Sequence, residues 1–259
     1  MMVIGAIALV AAAVCAVLAH RAQGRVRAMT TAETLPVGEL RELHRAAADA
    51  AGEGNFRYRC EVVGVAQASG SGELTAELSG TACVWHRHTV THKYWETTTD
   101  SEGNRKRQER SSVVSQHISG SPFAVRDDTG EITVDPAKNR VDGAEKVLDR
   151  FERGGRTGAE LRIGSLSVPL TSGGGDTIGY QHEEWVLPAG RRLYVLGEVS
   201  DAGGSLVIGE PEDGGHFIVS TRSEEELVRS GLRQSTGLRV AAACCAGLGV
   251  VLLVLGLLG

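Results

Sequence analysis

The charged residues of this 259-residue chain are confined to its middle, between two uncharged ends. Residues 1–19 and 240–259 contain no Lys, Arg, Asp or Glu, so all 27 basic and 32 acidic residues lie between them. At about 1.5 Å per residue, an apolar helix of roughly 20 residues crosses the ~30 Å hydrocarbon layer of a bilayer. The pattern predicts a polar domain with a membrane helix at each end. It excludes a wholly soluble protein, a polytopic channel and a disordered chain.

The first apolar segment has two interpretations, a retained anchor and a cleaved secretory signal. A signal peptide carries positive charge before its apolar run, whereas Arg21, Arg25 and Arg27 follow the run here. We therefore predict a retained anchor. Arg229, Arg233 and Arg239 precede the second segment, so each apolar segment has basic residues at the end that faces the middle of the chain.

Lys and Arg accumulate on the cytoplasmic side of membrane helices. Both segments therefore predict a two-pass cell-membrane protein whose central domain is cytoplasmic. Small residues recur four apart within the spans, a spacing that lets helices approach closely and predicts contact between spans or a homo-oligomer; Ala-richness alone is the other explanation. They are Ala8, Ala12 and Ala16 in the first span and Ala243 and Gly247 in the second.

The middle of the chain changes from helical to strand periodicity. Residues 36–51 have apolar side chains three and four apart and predict a helix, after which short period-two segments alternate with Gly-rich turns. We predict a polar hairpin tip at 97–112 and an irregular or weakly helical segment at 136–160, with Trp85 and Trp185 in or against the core. Ser223 and Glu226 form a capping box that predicts the start of a helix.

The predicted fold class is α+β and mainly β, with short antiparallel strands in a barrel-like or sandwich-like arrangement, flanked by two transmembrane helices. The predicted organisation is a transmembrane helix at 1–19, a linker at 20–35, a cytoplasmic domain at 36–222, a juxtamembrane helix at 223–237 and a transmembrane helix at 238–259. The expected partners are membrane lipid and an unidentified protein, for which the exposed loops 97–112 and 171–177 are the candidate contact surfaces. Nucleic acid is not expected, because the net charge is −5.

Searches for catalytic and cofactor motifs are negative. The sequence has no P-loop, no dinucleotide-binding glycine motif and no paired cysteine spacing, so we predict no catalytic residue and no cofactor. His86 and His88 should share one strand face near His92, which offers either a divalent metal site or an ordinary surface strand; we predict no metal. A basic run at the hairpin tip contacts either lipid head groups or solvent only, and consists of Arg105, Lys106, Arg107 and Arg110.

Several motifs follow one another in a characteristic order. They are Cys83-x-Trp85-x-Arg87, the run from Pro122 to Gly130, Val134-Asp135-Pro136, Gly179-Tyr180, the run from Glu183 to Gly190, and the run from Leu193 to Glu198. This set, over about residues 35–237, resembles the GIDE domain, also called the "beside a membrane" (BAM) domain. That domain occurs in membrane-anchored E3 ubiquitin ligases of the mitochondrial ubiquitin ligase activator type and in bacterial relatives. The abundance of Arg, Ala and Gly over Lys is also typical of a GC-rich bacterial genome.

The resemblance implies an anchored domain that lies close to the bilayer and engages proteins. Family members from eukaryotes carry a zinc-binding RING after the second membrane helix, and this sequence has no Cys/His array that could hold two zinc ions. We therefore expect an interaction domain that resembles the non-RING part of these ligases. The alternatives are an E3 ubiquitin transferase with its catalytic partner in trans, and a hydrolase that uses the acids Asp127, Asp128, Glu183 and Glu184.

Overall fold

The computed structural model describes residues 2–70, 72–99, 103–154, 161–163, 166–168 and 176–258. The helices within these ranges are α1 (Met2–Thr31), α2 (Val37–Ala51) and α3 (Glu224–Leu258). The strands are β1 (Glu33–Thr34), β2 (Arg57–Gln67), β3 (Leu74–Thr75), β4 (Ala82–Cys83), β5 (Trp85–Thr99), β6 (Arg105–Ile118), β7 (Phe123–Arg126), β8 (Glu131–Val134), β9 (Val141–Asp142), β10 (Glu145–Arg153), β11 (Leu161–Ile163), β12 (Leu166–Val168), β13 (Asp176–Leu187), β14 (Arg192–Ser200), β15 (Val207–Gly209) and β16 (Ile218–Ser220). The mainly β fold class with an apolar helix at each end is confirmed.

Five strands close into a small barrel. β2 pairs with β7, β7 with β8, β8 with β15, β15 with β14, and β14 with β2 again. Only the β8–β15 pair of this ring is parallel. In chain order the ring runs first, second, third, fifth, fourth, which is the arrangement of an OB-type Greek-key barrel. Closure leaves no free edge in the ring, and the short strands β1, β16 and β9 extend the same sheet from it.

The barrel core is filled by the inward-facing, period-two residues that the sequence pattern indicated. Val62 from β2, Val125 from β7 and Val195 from β14 are fully buried. Two residues of a second sheet, Trp85 and Leu187, pack into the same cluster and are equally inaccessible. The prediction for Trp85 is confirmed. Trp185 lies half-buried against that second sheet, with the Arg87 guanidinium 3.9 Å above its ring.

The second sheet is antiparallel and has the order β10-β13-β5-β6. Its strands come from two long excursions of the chain, one between β2 and β7 and one between β8 and β14. Residues 97–112, predicted to be a loop tip, are mostly strand, because β5 runs to Thr99 and pairing resumes at Arg105. Residues 136–160, predicted to be irregular or weakly helical, contain the edge strand β10. Its outward positions are polar and exposed, so its sequence lacks a period-two apolar pattern.

The two apolar helices pack against each other in antiparallel orientation. Both are long and apolar enough to cross a membrane by length and composition. Gly5 and Gly249 lie where the two helices approach closely: a Cβ on Gly5 would lie 3.1 Å from the Gly249 carbonyl oxygen, and the reverse distance is also 3.1 Å. In α1 the buried positions Gly5, Ala12, Ala19 and Val26 recur every seven residues, the spacing of a left-handed helix pair. Of the residues proposed from small-residue spacing, Ala12 faces α3, whereas Ala16, Ala243 and Gly247 are exposed.

The apolar helices continue without a break to the barrel and form a short stalk, defined here as residues 20–31 of α1 and 224–239 of α3. Residues 20–31, which the sequence predicted to be part of a linker, are helical. Their buried residues Val26 and Met29 pack against α3 and the barrel, which stabilises the helix. The Ser223 side chain accepts a hydrogen bond from the Glu226 N–H at 3.3 Å, as the capping box predicted.

The stalk packs directly on the outer face of the barrel. Val26 and Met29 of α1 and Leu227 of α3 form a buried cluster with Tyr194 and Leu196 of β14. Beneath this cluster the carboxylate of Glu61 is also buried, accepting hydrogen bonds from the Tyr194 hydroxyl and, at 3.0 Å, from the Thr34 hydroxyl. Burial raises the pKa of Glu61 above its ordinary value.

Replacing Trp85 should strongly destabilise the barrel. Trp85→Ala would leave a cavity in a closed core, and we expect it to lower the free energy of unfolding by about 3–5 kcal/mol. Chemical denaturation of the full chain in detergent, followed by circular dichroism, measures the change. Trp95→Ala is the matched control, because Trp95 is 36% exposed and should cost less than about 1 kcal/mol. Equal losses for the two variants would contradict this account of the core.

Candidate functional site

The β5–β6 hairpin carries the predicted basic residues on its outer part. The pairing of the two strands extends outward as far as Thr99 and Arg105. Arg107 stacks on the Trp95 ring at 4.9 Å, and the Arg110 Nε atom donates to Glu96 at 2.9 Å. Much of the basic run therefore already contacts groups of its own hairpin.

Three of the four carboxylates considered for hydrolysis, Asp127, Glu183 and Glu184, have structural partners. Asp127 accepts hydrogen bonds from the N–H groups of Thr129 at 2.7 Å and Val37 at 2.8 Å, fixing the β7–β8 turn to the start of α2. Burial alone would raise the pKa of Asp127, but these bonds and one from the Thr129 hydroxyl lower it below its ordinary value. Glu183 pairs with Lys146 at 2.6 Å on the sheet surface.

A cluster of imidazoles forms on the other face of the second sheet. His86 and His88 are two residues apart on β5 and project to the same face, as the spacing predicted. On the neighbouring strand β6, His117 lies directly opposite His88. The His117 ring centroid is 5.7 Å from that of His86 and 5.8 Å from that of His88. Pairing between the two strands β5 and β6 thus brings three histidines into one place.

A turn between β3 and β4 adds a carboxylate to this face. The Glu77 Oε2 atom is 3.2 Å from the His88 Nδ1 atom, and its Oε1 atom is 3.6 Å from the His117 Nε2 atom. The turn is held down by Glu184, a fully buried residue of β13 that accepts hydrogen bonds from the N–H groups of Leu78 at 3.0 Å and Ser79 at 2.7 Å. Glu184 therefore fixes the backbone from which the Glu77 side chain extends toward the histidines.

Several buried ring nitrogens of this cluster make no well-aligned hydrogen bond among the residues that the structure describes. They are the Nδ1 atom of His86 and both ring nitrogens of His88, whose Nδ1 atom approaches Glu77 at 3.2 Å without the alignment of a hydrogen bond. A buried polar group left unsatisfied costs about 1–3 kcal/mol, so each instance needs an explanation. Burial lowers the pKa of both His86 and His88 below the ordinary histidine value. Both rings are therefore neutral near pH 7, with a nitrogen lone pair available to a ligand.

His92 does not join the cluster. Its ring stacks between Tyr94, at 5.1 Å, and Tyr180, at 4.8 Å, and its Nε2 atom lies 3.1 Å from the Thr177 hydroxyl. His92 follows His88 by four residues along β5, which is about 13 Å at roughly 3.3 Å per residue, so its neighbours are different ones. The histidines proposed from spacing are thus divided between two environments.

The sequence reasoning overlooked Glu77 and His117. His117 could have been found, because a hairpin with its turn at 100–104 pairs His88 with residue 116 or 117. Glu77 could not, since the short β3–β4 hairpin that carries it gives no strand pattern of its own. Cys60 and Cys83 are both buried, and burial raises the pKa of Cys60 to about 12. The candidate loop 171–177 lies largely outside the described residues.

Comparison with known proteins gives one result. The model of the GIDE family, described as "E3 Ubiquitin ligase", matches residues 93–256. The matched region contains His117 and Glu184 but begins after His86, His88 and the turn that carries Glu77. No curated protein and no solved structure matches the chain.

Proposed function

Because this chain belongs to the GIDE family, whose model matches more than half of it, we propose that it is a membrane-anchored interaction domain with a ubiquitin-ligase-related role. On this proposal the barrel is held beside the membrane by its two apolar helices, and its surface binds a protein partner there. Anchoring raises the effective concentration of such a domain for partners at the same membrane.

The packing of the stalk on the barrel is the observation that carries this proposal. A domain on a flexible linker samples a wide volume, whereas here Met29 and Leu227 are buried against Tyr194 in one cluster. The stalk residues of α1, at about 1.5 Å per residue, span roughly 18 Å. The barrel would therefore stay within a short, fixed distance of the bilayer surface.

The basic residues of the stalk favour the cytoplasmic side for the barrel. Arg21, Arg25 and Arg27 of α1 and Arg229 and Arg233 of α3 lie between the apolar helices and the barrel. Their position follows the positive-inside rule for both helices. In this orientation they would face the anionic head groups of the cytoplasmic leaflet, so membrane lipid is a second proposed partner.

The edge strand β6 is the proposed partner-binding surface. It is the last strand of its sheet, and most of its residues are exposed. Val113 is 59% exposed and Val114 43%, which is unusual for two adjacent apolar residues of a strand. An exposed edge with apolar side chains is a template for an added strand from another protein. The basic end of the hairpin, at Arg105 and Lys106, would favour an acidic partner segment.

Labelling of a new cysteine tests the orientation. With Asn104→Cys at the exposed hairpin turn, a membrane-impermeant maleimide should label the protein only after the cells are lysed. Of the five native thiols, Cys60 and Cys83 are buried, and Cys15, Cys244 and Cys245 lie in the apolar helices, so the unsubstituted chain is the control for background labelling. Labelling of Asn104→Cys in intact cells would place the barrel outside.

Photo-crosslinking from β6 tests the interaction surface. A photoreactive amino acid at Val114 should give a discrete crosslinked product in cells that express the protein at its native level. The same amino acid at Asp213, an exposed loop residue of the barrel, is the control and should give none. Identical product patterns at the two positions would rule out β6 as the specific surface.

Ubiquitin transfer by the chain itself is the second candidate function, favoured by the family description. Transfer by a RING needs a platform built around two zinc ions, and these 259 residues hold five cysteines without paired spacing. We expect the purified chain in nanodiscs, mixed with activating enzyme, conjugating enzyme, ubiquitin and ATP, to form no ubiquitin chains. Chain formation that depends on this protein would establish the second candidate instead.

A further inference from the structure

Although the sequence predicts no metal, we propose that the arrangement of Glu77, His86 and His117 binds one divalent transition-metal ion of the zinc class. One oxygen of Glu77 and one nitrogen from each of His86 and His117 all lie within 4.8 Å of one another. The three residues come from a turn and two adjacent strands, so an ion between them would fasten the β3–β4 turn to the second sheet. This site is independent of the interaction function proposed above.

The spacing of the donor atoms suits such an ion after small side-chain adjustments. Bonds of about 2.0–2.1 Å in a tetrahedral arrangement place ligand atoms roughly 3.4 Å apart. The 3.6 Å between the Glu77 Oε1 and His117 Nε2 atoms is already close to this value. Glu77 and His117 are accessible enough to move, with side-chain exposures of 30% and 49%.

The chemistry of the donors selects the class of metal. Two imidazoles and one carboxylate are ligands that zinc uses, whereas calcium and magnesium take mainly oxygen ligands. His86 is buried, and its Nδ1 atom makes no hydrogen bond to any residue that the structure describes. A bound ion would give a buried polar side chain the partner that it otherwise lacks.

Two neighbouring residues would support the ligands without binding the ion. His88 lies beneath Glu77, with its Nδ1 atom 3.2 Å from the Glu77 Oε2 atom, and can orient that carboxylate. Glu184 fixes the backbone of the turn one and two residues after Glu77. Such supporting contacts are a regular feature of metal sites and hold the first ligands in place. The exposed side of His117 leaves room for water as a further ligand.

Metal titration of the full chain tests the proposal. The protein, purified without a polyhistidine tag and stripped with a chelator, is titrated with Zn²⁺ in detergent, and bound zinc is measured by elemental analysis. A parallel titration with Co²⁺ reports the coordination through visible absorption. We expect one ion per chain, a Co²⁺ spectrum of a four-coordinate site, and a higher unfolding temperature with Zn²⁺.

Variants assign the ion to these residues. His117→Asn and Glu77→Gln should each weaken Zn²⁺ binding by about tenfold or more and abolish the rise in unfolding temperature. Both positions are partly exposed, so both variants should fold without metal. His92→Asn is the matched control. His92 lies on the same strand as His86 but outside the cluster, so this variant should bind Zn²⁺ as the unsubstituted chain does. Failure of the unsubstituted chain to bind one ion would overturn the proposal, as would equal weakening by His92→Asn.

Discussion

The burial of β14 on both faces is the constraint on which the rest of this structure depends. Alternate residues of the run Leu193–Leu196 point in opposite directions, Leu193 and Val195 into the barrel core and Tyr194 and Leu196 toward the stalk. The strand also pairs with β2, β15 and β16, so it joins the closed ring to its extension. A strand buried on both faces reads as a continuous apolar run, which is how this segment appears in the sequence.

The second sheet is an elaboration of the barrel rather than a separate domain. One excursion of the chain supplies β5 and β6, the other supplies β10 and β13, and the long β5–β13 pairing joins them. Trp85 and Leu187, at one end of that pairing, are part of the barrel core, so the two sheets share one apolar cluster. The imidazole cluster, the basic hairpin and the exposed edge strand all belong to these excursions. The ring thus supplies the framework, and the candidate functional groups lie in the segments inserted between its strands.

The sequence predicted those parts of the fold whose burial follows a simple period. The barrel strands alternate between core and exterior, and the capping residues of α3 act locally, so both were recognised. Strand β10 was missed because an edge strand with two largely polar faces has no such period. Residues 20–31 were predicted to be a linker because the residues that bury one face of this helix, Tyr194 and Leu196 of β14, lie far away in the sequence. His86 and His88 follow from alternation along one strand, but the contribution of Glu77 depends on a turn that Glu184 holds from another excursion.

The unbroken course of α3 has a mechanical consequence. From Glu224 to Leu258 the helix has no proline, the usual cause of a sharp kink. Its first turns pack against the barrel through Leu227. Transmembrane helices respond to a change in bilayer thickness by tilting. Because α3 is continuous and packed on the barrel, a tilt of its apolar part would rotate the barrel with it. The orientation of β6 and the imidazole face above the lipid surface would then vary with the thickness of the membrane.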